Sequence, residues 1–324
     1  MKIFKIFSDT PLTDSARTLL TEGVAPHKVL FPEKLIASVL ARGGPDPRFA
    51  GADIAFGQPD VAEILQSERL RWVHLSSAGY TRYDNAEFRA AATARGLPVT
   101  NSSSVFAGPC AEHVFSFMLA QSRNLPAALK SRDANGSSAW IGLRNAPVSL
   151  RNQRVLLLGF GAIARRLVEL LHPFQMNIAA LRRRPRGDES IRVIMNEHLK
   201  EELRSADHVV NLLPDNTEST RFVSAQRFSQ MKPGAVFYNI GRGTTVDQTA
   251  LSNTLRSGRL AAAWLDVTEP EPLPPEHPLL SSPNCFITPH LAGGHRNEAE
   301  SLVRHFLDNF RRFLQGTPLR DRIM

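Results

Sequence analysis

Short apolar runs at residues 2–7, 28–31, 53–56, 70–75 and 97–100 alternate with polar or helix-like segments through the first hundred residues. That rhythm predicts strands joined by crossover helices, an α/β unit. From residue 105 to 125 the pattern changes: Val105, Phe106, Val114, Phe115, Phe117, Met118 and Leu119 wrap most of a helical circumference, and Pro109 is expected in the first turn. A helix apolar on all sides needs cover, and a second subunit is the expected cover. Residues 130–149, rich in Ser, Asn, Gly and Pro, read as a crossing loop, and no internal repeat is evident.

Beyond residue 153 the alternation restarts with stronger apolar runs, as buried parallel strands require. Strands are predicted at 154–160, 177–182, 208–213, 235–240, 261–267 and 285–288. Six strands separated by helices make one doubly wound sheet. At the end, Leu302, Phe306, Phe310 and Phe313 recur at helical spacing before Gly316 and Pro318 stop the helix. This helix is expected to return to the first domain. The organisation predicted is therefore one domain at residues 1–104 plus 292–324, a second at 105–291, and a cleft between them.

Composition narrows the class. A chain of 324 residues exceeds what one core usually organises, and 42% hydrophobic with 22% charged residues is globular rather than disordered. The longest apolar stretch, residues 155–164, is ten residues long, far short of the ~20 that cross a bilayer. Lysine inside the N-terminal apolar run reads as a strand, not a secretory signal. With only Cys110 and Cys285, a reducing cytoplasm is the expected location. The net charge of +8 favours anionic partners. Nine arginines fall between 151 and 192, yet without basic–aromatic alternation or zinc-ligand spacing, so neither nucleic acid nor membrane is an expected partner.

Gly159-Phe160-Gly161-Ala162-Ile163-Ala164 follows a predicted strand and opens a predicted helix, the context of a dinucleotide loop. Gly159 permits the tight turn, Gly161 lets backbone N–H groups approach a pyrophosphate, and Ala164 is small enough for close helix–strand packing. An acidic residue about 20 positions on would bind the adenosine ribose. Instead Arg182 stands 23 residues after Gly159, followed by Arg183, Arg184 and Arg186. Guanidinium groups suit a 2′-phosphate, so NADP(H) is expected over NAD(H), which stays open as the alternative. A solvated arginine run is the competing reading.

Three later segments place polar groups at strand ends: Asn239-Ile240-Gly241-Arg242-Gly243, then Leu265-Asp266-Val267-Thr268-Glu269-Pro270-Glu271-Pro272, then Thr288-Pro289-His290-Leu291-Ala292. In that order, after the glycine loop, they resemble the D-isomer-specific 2-hydroxyacid dehydrogenase family over about residues 70–318. Residues 265–280 look most like its glyoxylate/hydroxypyruvate reductase branch. The resemblance implies two Rossmann-like domains: a doubly wound parallel-sheet cofactor domain carrying a dimerisation helix, and a smaller flavodoxin-like substrate domain. It implies an NAD(P)-dependent reductase of small 2-keto acids to D-2-hydroxy acids, working as a homodimer. Arg242 would hold the substrate carboxylate and polarise its carbonyl, His290 would be the acid/base, and Glu271 its carboxylate partner, with Glu269 the rival by position. Asp266 would orient the cofactor carboxamide, while Ile240, Leu213, Pro214 and Thr220 would lie along the cofactor. Ser77, Ala78 and Gly79 would bind the substrate carboxylate. Asn101 and His113 also look familial, with structural duties expected.

Chemistry suits these roles, since a guanidinium is planar and permanently charged and an imidazole transfers protons near neutral pH. Trp264 departs from the family pattern of alanine or glycine. Its indole is expected to narrow the nicotinamide pocket, stack on the cofactor or fill a subunit contact. The alternative function is a catalytically weak, corepressor-like cofactor sensor of the same fold.

Overall fold

The structure, a computed structural model, describes residues 2–33, 44–132 and 136–324. In chain order come β1 (Lys5–Ser8), α1 (Asp14–Gly23), β2 (Lys28–Leu30), β3 (Ile54–Gly57), α2 (Val61–Gln66), β4 (Trp72–Leu75), α3 (Ala86–Arg95) and β5 (Val99–Thr100). Then follow α4 (Ser103–Ser122), α5 (Leu125–Lys130), α6 (Ser138–Asn145), β6 (Arg154–Leu158), α7 (Ala162–Leu171), β7 (Asn177–Leu181) and β8 (Arg192–Ile194). The rest is α8 (Leu199–Ser205), β9 (His208–Asn211), α9 (Ala225–Gln230), β10 (Val236–Asn239), α10 (Gln248–Arg256), β11 (Ala262–Leu265), β12 (Cys285–Ile287) and α11 (Glu298–Gln315). The chain divides into two compact units, Met1–Phe106 with Gly294–Met324, and Ala107–Gly293, each crossing falling two residues later than the expected boundary.

In the first unit five strands run in the order β2-β1-β3-β4-β5, every pair parallel. This is the doubly wound order with its switch point between β1 and β3. β3 and β4 are buried along their whole length, which is why both read as unbroken apolar runs. Thr13 caps α1 by accepting from the Ala16 amide, and Asn85 caps α3 by accepting from Phe88. α11 returns to this unit as its periodicity predicts, and Gly316 ends it at φ +66°. Its Phe306 stacks on Trp72 at 5.1 Å and on Phe56 at 4.5 Å.

In the second unit seven strands run β12-β11-β10-β9-β6-β7-β8, again wholly parallel. The switch point lies between β6 and β9. All six predicted strands are present, each ending one or two residues early where the chain turns into the following loop. β8 is the additional one, three residues too short to show a period. The core joins Leu156, Leu158, Val209, Phe237, Ala263 and Leu265 of the sheet to Leu203, Phe228 and Leu251 of the helices.

Three local expectations need correction. α4 begins at Ser103, so Pro109 lies inside the helix rather than in its first turn. The loop predicted at 130–149 contains α6, capped by Ser137, whose hydroxyl accepts from the Trp140 amide; residues 133–135 of that stretch lie outside the described residues. Nor is α4 covered all round: Ala111, Val114 and Met118 are buried, whereas Phe115 and Leu119 are half-exposed and Glu112 and Ser116 face solvent. Among the described residues no helix is long and apolar enough to cross a membrane. Cys110 and Cys285 are free thiols, pushed up to about 12 by burial.

Candidate active site

β6 ends at Leu158 and the chain turns through Gly159, whose φ of +103° is strained for any residue with a side chain. The Gly159 amide donates to the Leu181 carbonyl at 3.2 Å, which ties this turn to the end of β7. Gly161 forms the N-cap of α7, and a methyl group there would meet nothing within 4 Å. Ala162 and Ile163 make a half-buried first turn, and Ala164 is fully buried. An open helix N-terminus beside a glycine turn presents unpaired N–H groups and partial positive charge, so these residues fit a pyrophosphate.

At the end of β7 the Arg182 guanidinium donates to Glu189 at 2.8 Å, Arg183 pairs with Glu218, and Arg184 is exposed. Leu213 and Pro214 follow β9, and Thr220 closes the turn after them by donating to the Asn216 carbonyl at 3.0 Å. Ile240 is buried just past β10. These positions lie beyond the carboxyl ends of parallel strands, where open α/β sheets bind ligands.

Two glycines set the loop after β10. A methyl on Gly241 would lie 2.7 Å from the Leu213 carbonyl oxygen, and one on Gly243 only 1.9 Å from that of Thr268. The loops after β9, β10 and β11 can approach this closely only because both positions lack a side chain. Asn239 accepts from Asn211 at 2.9 Å and from the Gly241 amide at 3.2 Å, stiffening the same turn. Between the glycines, Arg242 is extended, with its carbonyl accepting from Thr245 Oγ1 at 2.6 Å and its guanidinium donating to the Gly241 carbonyl at 2.6 Å.

Glu271 reaches His290. Its Oε2 lies 2.8 Å from His290 Nδ1, while Oε1 accepts from the Thr268 amide at 2.8 Å. Burial pushes the Glu271 carboxyl up, but the hydrogen bonds from His290 and Thr268, together with the charges of His290 and Arg242, outweigh it and hold the group below the ordinary carboxylate value. Glu269, the rival by position, is exposed, and its backbone is held by Gln248. The sheet thus brings Arg242, Glu271 and His290 into one electrostatic cluster from three separate loops.

Asp266 stands behind this cluster and is 2% exposed. Oδ1 accepts from Thr288 Oγ1 at 2.6 Å and the Leu291 amide at 3.0 Å, and Oδ2 accepts from the Ala292 amide at 2.9 Å. Those contacts clamp the loop on which His290 adopts φ +48°, a region costly for a residue with a side chain. His113 on α4 adds to the clamp, with Nε2 3.3 Å from Thr288 Oγ1 and 3.6 Å from Asp266 Oδ1. Sequence reasoning gave His113 a structural duty but did not connect it to Asp266, because the two are 153 residues apart.

Trp264 lies buried in this unit's own core: its ring stacks on Phe286 at 4.3 Å, meets Phe117 at 4.8 Å, and donates from Nε1 to Gln121 at 2.9 Å.

In the first unit, Ser77, Ala78 and Gly79 follow β4 as half-buried residues. Gln58 donates from Nε2 to Ser77 Oγ at 2.8 Å, Ser77 Oγ donates to the Gly79 carbonyl at 2.5 Å, and Asn101 donates to the Ala78 carbonyl at 2.7 Å. Gln58 was missed from sequence; a lone Gln after a strand carries no pattern. Its own amide donates to Asp9 at 2.7 Å, and burial pushes the Asp9 carboxyl up to about 6 against the lowering effect of that hydrogen bond.

Residues 115–292 match the family described as D-isomer specific 2-hydroxyacid dehydrogenase, NAD binding domain, more than half of the chain. The chain is 30% identical over 271 residues to glyoxylate/hydroxypyruvate reductase B of Citrobacter koseri, covering 83% of each. It is 32% identical over 227 residues to human glyoxylate reductase/hydroxypyruvate reductase, covering 69% of each. A crystal structure of a D-isomer specific 2-hydroxyacid dehydrogenase family protein from Aeromonas salmonicida superposes with a TM-score of 0.78 at 26% identity, over 100% of this chain and 99% of that one. The glycine turn, the Arg242–Glu271–His290 cluster and these likenesses agree: the chain belongs to the D-isomer specific 2-hydroxyacid dehydrogenase family, as an NAD(P)-dependent dehydrogenase.

Proposed function

We propose that the protein transfers hydride between NADP(H) and a small 2-keto acid of the glyoxylate or hydroxypyruvate kind, giving the D-2-hydroxy acid. The observation that carries this reading is the 2.8 Å contact between Glu271 and His290 Nδ1 beside the Arg242 charge. When bound, the nicotinamide supplies or accepts the hydride. With Nδ1–H donating to Glu271, the ring is fixed in orientation and Nε2 is left to give a proton to the keto oxygen and to take it back in the reverse direction. Glu271 stabilises the imidazolium form that the reduction consumes. Arg242 binds the substrate carboxylate by paired hydrogen bonds and draws electron density from the neighbouring carbonyl. Ser77, Ala78 and Gly79 form a further carboxylate-binding element, and Asp266 serves the cofactor end of the site. Arg183 and Arg184 favour the 2′-phosphate, and no carboxylate stands at position 182 to repel it.

Partly exposed Phe115 and Leu119 on α4, with exposed Leu125 and Leu129 on α5 and Ile141 on α6, support a homodimer that covers apolar side chains of these helices. Two free thiols suit the reducing cytoplasm. The test is a panel of 2-keto acids assayed for oxidation of NADPH and NADH in parallel. Turnover of glyoxylate or hydroxypyruvate with NADPH preferred is the expected result. Cofactor binding without turnover across the panel would instead favour the sensor reading.

A further inference from the structure

Arg182 occupies the place at the end of β7 where a carboxylate would select NAD, yet its guanidinium is turned inward. Its amide donates to the Ile194 carbonyl at 2.9 Å, and its side chain, 17% exposed, donates to the Glu189 carboxylate, whose side chain is 5% exposed. Glu189 accepts three hydrogen bonds. Oε1 accepts from Arg182 Nη1 and from the Arg186 amide, both at 2.8 Å, and Oε2 accepts from the Gly187 amide at 2.8 Å. One carboxylate thus closes the whole of residues 182–189 onto the end of the strand. Arg183, with its side chain 77% exposed, and Arg184 are left on the outside of that loop.

We propose that Glu189 is a positioning residue for cofactor selection: it draws Arg182 and two loop amides inward and so fixes Arg183 and Arg184 as the pair that meets the 2′-phosphate. This rests on the NADP(H) reading above. Three adjacent guanidinium groups repel one another; Arg183 is also paired with exposed Glu218, but the Arg186 and Gly187 amides have no ladder to join, and Glu189 is the group that fixes their path and that of the Arg182 side chain. A paired, charge-assisted grip on a phosphate depends on a fixed spacing of donors. Yet Glu189 is also a negative charge close to the place where a phosphate would bind. If charge alone mattered, its removal would tighten NADPH binding; if positioning matters, removal weakens it. The two effects have opposite signs.

The experiment measures dissociation constants of the full-length protein for NADPH and NADH by nicotinamide fluorescence, in the wild type, E189Q and R182Q. The expected result is that the wild type prefers NADPH and that E189Q weakens NADPH by about tenfold, the value of one charge-assisted hydrogen bond, while NADH shifts far less. R182Q, which breaks the same pair from the other side, should lower the NADPH-to-NADH ratio in the same direction and guards against misfolding of E189Q. Unchanged or tighter NADPH binding in E189Q overturns the proposal. Equal weakening of both cofactors in the two variants also overturns it, since that is what a merely structural role produces. A wild type without NADPH preference overturns the NADP(H) reading itself, and the proposal with it.

Discussion

Gly243 lies against Thr268 so closely that a methyl group on its Cα would stand 1.9 Å from the Thr268 carbonyl oxygen. The contact joins the turn that carries Arg242 to the segment that carries Glu271. Gly243→Ala must therefore push the two apart, at a stability cost of about 1–3 kcal/mol. Because Arg242 moves with the turn, kcat/KM for keto acids should fall by on the order of 100-fold. Steady-state kinetics and a denaturant unfolding curve check the two effects; a variant with wild-type kcat/KM would show that the spacing of these loops does not matter.

His290→Ala should lower kcat by roughly 100- to 10,000-fold, the usual contribution of a general acid, with NADPH still bound. Glu271→Gln keeps a hydrogen-bond acceptor for Nδ1–H but removes the charge that favours the imidazolium, so a smaller loss is expected. The folded Glu271 carboxyl sits below its ordinary value, so on the carboxylate's side the contribution is present above the ordinary carboxylate range and is lost as pH falls through the depressed value. The stability difference between wild type and E271Q should therefore shrink as pH falls below the ordinary carboxylate range. A difference that stayed constant on acidification would count against this pairing.

Asp266→Asn leaves an amide group where two backbone N–H donors and the Thr288 hydroxyl now converge. At least one of them loses its acceptor, which costs about 1–3 kcal/mol in a buried site. The loop holding His290 at φ +48° should relax toward ordinary backbone geometry, lowering turnover. Hydrogen exchange of the Leu291 and Ala292 amides reads the loosening directly; unchanged protection would refute the clamp.

Asp9 carries the opposite sign of pH dependence. Burial raises its carboxyl to about 6, above the ordinary 3.8, so its ionisation opposes folding progressively as pH rises from the lower to the higher value. Asp9→Asn, which retains an acceptor for the Gln58 amide, should stabilise the protein by on the order of 3 kcal/mol at pH 8 and by little at pH 4. Thermal unfolding at both pH values tests it. Equal shifts at the two would mean that Asp9 does not titrate in this range.

Trp264→Ala removes a ring packed between Phe286 and Phe117. A loss of about 3–5 kcal/mol is expected from a core aromatic of this size. The ranking of keto acids by kcat/KM should be the same as in the wild type. A changed ranking would show that the indole shapes the substrate pocket after all.

The parallel strands were legible because burial on both faces leaves unbroken apolar runs, as in residues 155–158 and 209–210. Their ends were not, since Leu212 and Val267 stay apolar after the ladder has stopped. Arg192–Ile194 was missed because three residues carry no period, and α6 was hidden by its Ser- and Asn-rich flanks. Pro109 was misplaced because proline in a helix interior is costly and the first turn is its usual home. Motif order pointed to Arg242, Glu271 and His290, but it carried no trace of the contacts that the fold creates around them, the Asp266 clamp and His113, nor of the grip of Glu189 on Arg182 after β7.

The stacking of Phe306 on Trp72 and Phe56 has a consequence for biosynthesis. A ribosome emits the strands bearing Trp72 and Phe56 more than two hundred residues before the helix that caps them, so the second unit can be finished while those rings still wait, uncovered. A nascent chain of this kind presents aromatic surface to the cell for many seconds at ordinary elongation speeds, which makes it a natural client for chaperones that hold apolar segments until translation ends.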